Sequence, residues 1–210
     1  MTALEHKPPR RPRVWLIWAL GLAIAAGLGW LISDLLVPGG GTLVSGLQRV
    51  AAPPIGGPFS LIDDSGTPRT DAEFRGKLML VYFGYTHCPD ACPTALQDMA
   101  DALAQLGPQA DEIVPIFITI DPARDTVAYL KGYAEQFDAH FVSLTGSPEQ
   151  VAAAAKAYRV YYRKATDTPN YLMDHSSIVY LMGRDGKFLM HFTPDTTPDQ
   201  MADALRKYLR

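Results

Sequence analysis

Both cysteines of the chain lie in one short stretch, FGYTHCPDACP at residues 83–93, and what surrounds it limits the possible folds. The run before it, LMLVYF at 78–83, has no polar interruption. That is the pattern of a strand buried on both faces of a sheet, so further elements must cover both sides. Pro93 suits the first turn of a helix, where its missing N–H is no loss. Leu96, Met99, Ala100, Leu103 and Leu106 follow at helical spacing, and Gly107-Pro108 stops the helix. The chain therefore runs from a buried strand into two thiols and then into a helix.

The rest of the order extends this unit. Residues 59–66 alternate and close in a Gly turn, as a strand opening a hairpin does. Residues 113–120 (IVPIFITI) read as a second buried strand, with Pro115 near its start, where a lost donor is tolerated. A helix is expected over 127–137, a short strand over 141–144, and a helix from Ser147-Pro148 to about Tyr158. Two strands, 177–182 and 187–192, flank a turn containing Asp185-Gly186, and a last helix opens at Thr197-Pro198. This order fits an α/β fold: a mixed sheet with flanking helices over residues 57–210. A cysteine pair directly after the first buried strand and opening a helix is the thioredoxin-like arrangement.

Residues 14–32 carry no charge, and 19 apolar or small residues at 1.5 Å each span about 28 Å, close to a bilayer's hydrocarbon thickness. Lys7, Arg10, Arg11 and Arg13 precede this run. The positive-inside rule then assigns 1–13 to the cytoplasm and 14–37 to a transmembrane anchor. Residues 38–56, rich in Gly and Pro, read as a linker. A cleaved signal peptide is the alternative, with Ala23-Ile24-Ala25 as its site. Either way the domain is exported: the expectation is a single-pass protein of the inner membrane, its globular part in the periplasm, where thiols meet an oxidising environment. Nineteen basic against 22 acidic residues give no basic face for nucleic acid, and two cysteines cannot make a disulfide scaffold.

A thiolate at a helix N-terminus is stabilised by the exposed N–H groups and the helix dipole. Cys88 and Cys92 are separated by three residues, where thioredoxin-type pairs have two. Positions i and i+4 on a helix hold Cβ atoms about 5–6 Å apart, whereas a disulfide wants about 3.5–4.5 Å. The spacing leans toward a bridging metal and leaves a disulfide open. Two thiolates alone make a poor site. Of the histidines, His6 lies across the expected membrane, His140 and His191 read as surface or packing, and His87 adjoins Cys88 too closely to point the same way. His175 differs. It precedes the last hairpin, at the place where thioredoxin-like folds carry a cis-proline facing the cysteines. Two soft thiolates and one imidazole suit copper, in particular Cu(I) at low coordination number; structural zinc wants a fourth ligand.

The blocks GYTHCPDACP (84–93), IDPARDT (120–126), LTGSPEQ (144–150), YRVYY (158–162) and DHSSIVYLM (174–182) resemble the Sco/SenC family of membrane-anchored copper-binding proteins, in the family's order. The resemblance implies a thioredoxin-like fold, copper, as Cu(I) or Cu(II), held by Cys88, Cys92 and His175, and delivery to the binuclear copper centre of cytochrome c oxidase. The expected partners are the copper-receiving subunit of that oxidase and other copper chaperones or thiol reductants. A rival function is a thiol–disulfide oxidoreductase that reduces the cysteines of the oxidase copper site through Cys88 and Cys92 without needing His175. Asp121 and Asp125 flank Arg124 and are expected to pair with it or to serve the site; Asp174 is placed to fix the His175 tautomer. Met173, Met182 and Met190 read as packing.

Overall fold

The computed structural model describes residues 54–137, 140–168 and 170–210, together with 18, 21–24, 27 and 28, which are helical. Contacts divide the chain into Met1–Ala52 and Pro53–Arg210. No helix among the described residues is long and apolar enough to cross a membrane. Most of the expected anchor at 14–37, and all of residues 1–13 and 38–53, lie outside the described residues.

In chain order the second unit contains β1 (Ser60–Asp63), β2 (Pro68–Thr70), a 3-10 turn (Asp71–Phe74), β3 (Leu78–Gly84), α1 (Ala91–Ala104), a second 3-10 turn (Gly107–Glu112), and β4 (Ile113–Thr119). Then come α2 (Val127–Ala134), β5 (Val142–Thr145), α3 (Pro148–Ala157), β6 (Tyr162–Lys164), β7 (Met173–His175), β8 (Val179–Met182), β9 (Phe188–Phe192) and α4 (Pro198–Tyr208). Seven strands form one sheet in the order β2-β1-β5-β4-β3-β8-β9. β3, β4 and β5 are parallel, and β1 and β8 run antiparallel on either side of them.

All seven residues of β3 are buried, so both faces of the sheet centre are covered, as the unbroken apolar run requires. Each large side chain buried there contributes about 1.5–3 kcal/mol. Pro115 is tolerated because β5 pairs only with Ile116–Ile118 of β4; at Pro115 the strand has a neighbour on the β3 side alone. α1 buries Leu96, Met99, Ala100 and Leu103 and packs beside α4, to which Gln105 donates through Asp199 Oδ1 at 2.9 Å. The capping boxes at Ser147/Gln150 and Thr197/Gln200 fix the starts of α3 and α4. The β8–β9 turn closes at Gly186, whose φ of 79° favours a residue without Cβ.

β6 and β7 form a separate two-stranded antiparallel sheet, which the sequence pattern does not signal. The segment read as a loop before the last hairpin is thus partly strand: His175 ends β7 and lies opposite Tyr162.

Asp63 organises the β1–β2 hairpin. Its Oδ1 accepts from the Ser65 and Thr67 backbone N–H groups, both at 2.9 Å, and its Oδ2 accepts from Arg69 Nε at 2.8 Å. Burial works to raise the carboxyl pKa, but hydrogen bonds from Ser65, Arg69 and the two N–H groups outweigh it and hold the value at about 2. A depressed carboxyl stabilises the fold above its unfolded pKa and loses that effect as pH falls through the folded one. Asp63→Ala is therefore expected to cost about 2 kcal/mol at neutral pH, with the gap to the parent closing between pH 3.8 and about 2. Denaturant titrations at several pH values measure this; a constant gap across that window contradicts it.

Candidate metal centre

The chain leaves β3 at Gly84 and enters α1 at Ala91. Cys88 lies in the intervening loop, where its N–H donates to the Tyr85 carbonyl at 3.2 Å. Cys92 is the second residue of α1, and Pro93 the third, still among the N–H positions that a helix leaves unpaired. The Cys92 N–H instead points at Cys88 Sγ, 3.4 Å away, so the helix start donates to the sulfur. Gly84 makes room for this. A Cβ there would stand 2.8 Å from Tyr82 Cε1, 2.9 Å from Cys92 Sγ and 3.0 Å from Phe117 Cε2.

His175 reaches the same point from β7. Its ring stands edge-on to Tyr82 and Tyr85, with centroids at 6.1 and 5.9 Å. Nδ1 lies 3.1 Å from the Ser176 carbonyl, a contact that places the proton on Nδ1 and leaves Nε2 as the free acceptor. Nε2 is 3.4 Å from Cys92 Sγ. The two sulfurs and a ring nitrogen all fall within 4.8 Å of one another. Ligands at about 2.0–2.3 Å from one ion stand roughly 3.5–4 Å apart, so a small contraction would let all three donors reach a single metal. Among the described residues, no fourth Cys, His, Asp or Glu joins the group.

Both cysteines are free thiols. The neighbouring Cys92 thiol lowers the Cys88 pKa; burial opposes this, while the backbone N–H groups of Asp90 and Cys92 add to the lowering. The Cys92 thiol moves the other way, pushed far up by the same contact and by burial. Both directions favour the anion on Cys88 over Cys92. Cys92 is also fully buried, whereas Cys88 is half-buried. Iodoacetamide at neutral pH is expected to label Cys88 first, by at least tenfold in rate. Peptide mapping after brief labelling checks this, and equal labelling would contradict the assignment.

The surroundings hold the segments that carry these three side chains. Arg124 Nε donates to Asp121, its Nη1 donates to the Tyr171 carbonyl at 2.9 Å, and its guanidinium lies 3.7 Å from the Tyr171 ring centroid. The Tyr171 hydroxyl donates to Asp121 at 2.7 Å, and Met173 N–H donates to the Tyr85 hydroxyl at 3.2 Å. These contacts fasten the β6–β7 sheet to the end of β4 and to the cysteine loop.

Two expectations need correction. Asp174 does not touch His175; it accepts from Arg163 at 3.1 Å on the surface, because alternate residues of β7 point to opposite sides. Asp125 does not pair with Arg124. It turns inward and accepts from Thr86 and Thr119. His87 stacks on Tyr129 at 5.1 Å, His191 stacks on Phe188, and His140 is exposed; none joins the cluster. The expected Asp121–Arg124 pair is present; Tyr85 and Tyr171 complete the loop attachment, and only the density of polar residues after the strand at 113–120 hints at those two.

The SCO1/SenC family profile matches residues 48–210. An SCO2-like protein of Rickettsia felis is 42% identical over 155 residues, covering 72% of this chain and 76% of that protein. The mitochondrial SCO1 homolog of Mus musculus is 35% identical over 215 residues, covering 98% and 74%. Among solved structures, Bradyrhizobium japonicum ScoI with copper bound matches at a TM-score of 0.69 and 45% identity, over 73% of this chain and 99% of that one. Yeast Sco1 with copper bound gives 0.69 and 35%, over 75% and 89%.

Proposed function

Because this chain belongs to the SCO1/SenC family, we propose that it is a membrane-anchored copper chaperone whose Cys88, Cys92 and His175 hold one copper ion and pass it to the binuclear centre of cytochrome c oxidase. The observation that carries this reading is the convergence of two sulfurs and one imidazole nitrogen within 4.8 Å. Soft sulfur donors with one nitrogen, and no fourth Cys, His, Asp or Glu among the described residues, favour Cu(I) over structural zinc. Transfer proceeds by ligand exchange. An incoming thiolate of the acceptor takes the place of one donor, and the half-buried Cys88 is the accessible one to displace. The domain at 57–210 works in the periplasm, tethered through 38–56 to an inner-membrane helix at 14–37.

Reduced full-length protein given Cu(I) is expected to retain one copper per chain through gel filtration and to lose it to the apo copper-receiving domain of the oxidase. Cells lacking the protein are expected to make oxidase deficient in copper, rescued by added copper. Failure of the purified chain to retain copper would end the proposal.

An accessible Cys88 beside a fully buried Cys92, with the anion favoured on Cys88, also supports a second reading, disulfide reduction. Cys88 would attack a substrate disulfide, Cys92 would release the reduced product, and the chain would be left with a Cys88–Cys92 disulfide for an external dithiol to reduce. Rapid turnover of disulfides by copper-free protein, unaffected by loss of His175, would favour it.

A further inference from the structure

Tyr82 is fully buried in β3, and its ring stands edge-on to the His175 imidazole. Tyr82 Cε1 and Cys92 Sγ press on the same face of the chain, since a Cβ on Gly84 would meet them at 2.8 and 2.9 Å. The phenolic hydroxyl is buried and has no partner at full hydrogen-bond geometry among the described residues, with the Cys92 sulfur and the Ser177 side chain beside it. A buried hydroxyl without a partner costs about 1–3 kcal/mol, and phenylalanine would fill the same space without that cost. An acceptor that arises only in another state of the protein accounts for it, and the adjacent sulfur is the candidate. Copper takes cysteine as thiolate, and a thiolate is a far better acceptor than a thiol.

We propose that the Tyr82 hydroxyl donates a hydrogen bond to Cys92 Sγ when copper is bound, and that this bond sets the balance between Cu(I) and Cu(II) at the centre. The inference rests on the copper reading above. A hydrogen bond to a ligating sulfur withdraws electron density and weakens its donation to the metal. Cu(II) depends more on that donation, so the bond favours Cu(I) and raises the potential. Tyr82 is a positioning and tuning residue here, not a ligand.

The test uses the reduced full chain loaded with one equivalent of Cu(II), as parent, Tyr82→Phe and Tyr133→Phe. Tyr133 is the control: its hydroxyl is also buried without a partner, in α2, but its ring packs on Phe117 and Phe137 rather than on the His175 imidazole. In Tyr82→Phe the sulfur-to-copper charge-transfer band is expected at longer wavelength. The ratio of Cu(II) to Cu(I) affinity should rise about tenfold, equivalent to a fall of about 59 mV in potential for one electron. Tyr133→Phe is expected to leave both unchanged, and the melting temperature of copper-free Tyr82→Phe should hold or rise. In the parent, electron–nuclear double resonance should find an exchangeable proton coupled to Cu(II) through the sulfur; this measurement needs no variant to fold. A copper-binding parent that lacks this proton, or a Tyr82→Phe band at the parent position, overturns the hydrogen bond alone. A parent that takes up no copper overturns the copper reading and this inference with it.

Discussion

Replacing His175 with alanine is expected to lower copper affinity more than 100-fold while leaving the fold intact. Outer-sphere partners of metal ligands are worth about 10–100-fold in affinity, so a ligand itself should exceed that. The imidazole is the sole nitrogen donor in the cluster, and the remaining pair of sulfurs would leave copper two-coordinate. The fold should tolerate the change because His175 closes a short, half-buried strand and is held by one contact to the Ser176 carbonyl and by ring edges. Competition titration with a Cu(I) chelator measures the affinity, and far-UV dichroism with the melting temperature checks the fold. Copper bound as tightly as in the parent would remove His175 from the ligand set. The same variant separates the two functions, since reduction of a model disulfide by Cys88 and Cys92 should survive it.

Much of this arrangement is legible in the sequence, and the limits have physical causes. The run 78–83 is uninterrupted because both faces of β3 are covered, and the periodic apolar residues of α1 face the core. Turn and cap chemistry marks Gly186, Ser147 and Thr197. The convergence of Cys88, Cys92 and His175 could be expected from residue type and place in the chain order, and the structure brings them together. The β6–β7 sheet is not legible. Its strands have three residues each, and four of the six are exposed or only partly buried polar or charged side chains, so there is no apolar alternation to read. Asp125 and Asp174 defeat sequence reading for a related reason. Each has a charged residue nearby in sequence or an obvious role next door, but the direction of a side chain depends on tertiary contacts. The partner that fixes Asp125 is Thr86, 39 residues earlier in the chain. The Tyr85–Met173 bond, which joins the two halves of the site, spans 88 residues.

Asp125→Ala is the substitution expected to cost the most stability. The side chain is fully buried at the end of β4. Its Oδ2 accepts from the Thr86 backbone N–H at 3.0 Å and from the Thr119 hydroxyl at 2.6 Å, and its Oδ1 accepts from the Thr86 hydroxyl at 2.6 Å. Alanine leaves three donors without an acceptor, and an unsatisfied buried donor costs about 1–3 kcal/mol. Thr86 can recover some hydration at the surface, so the sum is expected near 3–5 kcal/mol, the range found when one partner of a buried charged contact is removed. For a domain of about 150 residues that lowers the melting temperature by roughly 10 °C. Asparagine keeps one acceptor oxygen and should lose about half as much. Because Thr86 stands two residues before Cys88, the loop carrying the first sulfur loses its tether to β4. Copper release should quicken in Asp125→Ala, and bound copper should raise its melting temperature by less than it raises the parent's. Calorimetry of both proteins with and without copper decides the matter. An Asp125→Ala protein melting within about 2 °C of the parent, well below the expected shift, would mean that the three donors find water and that the loop is held by Tyr85 and Met173 instead.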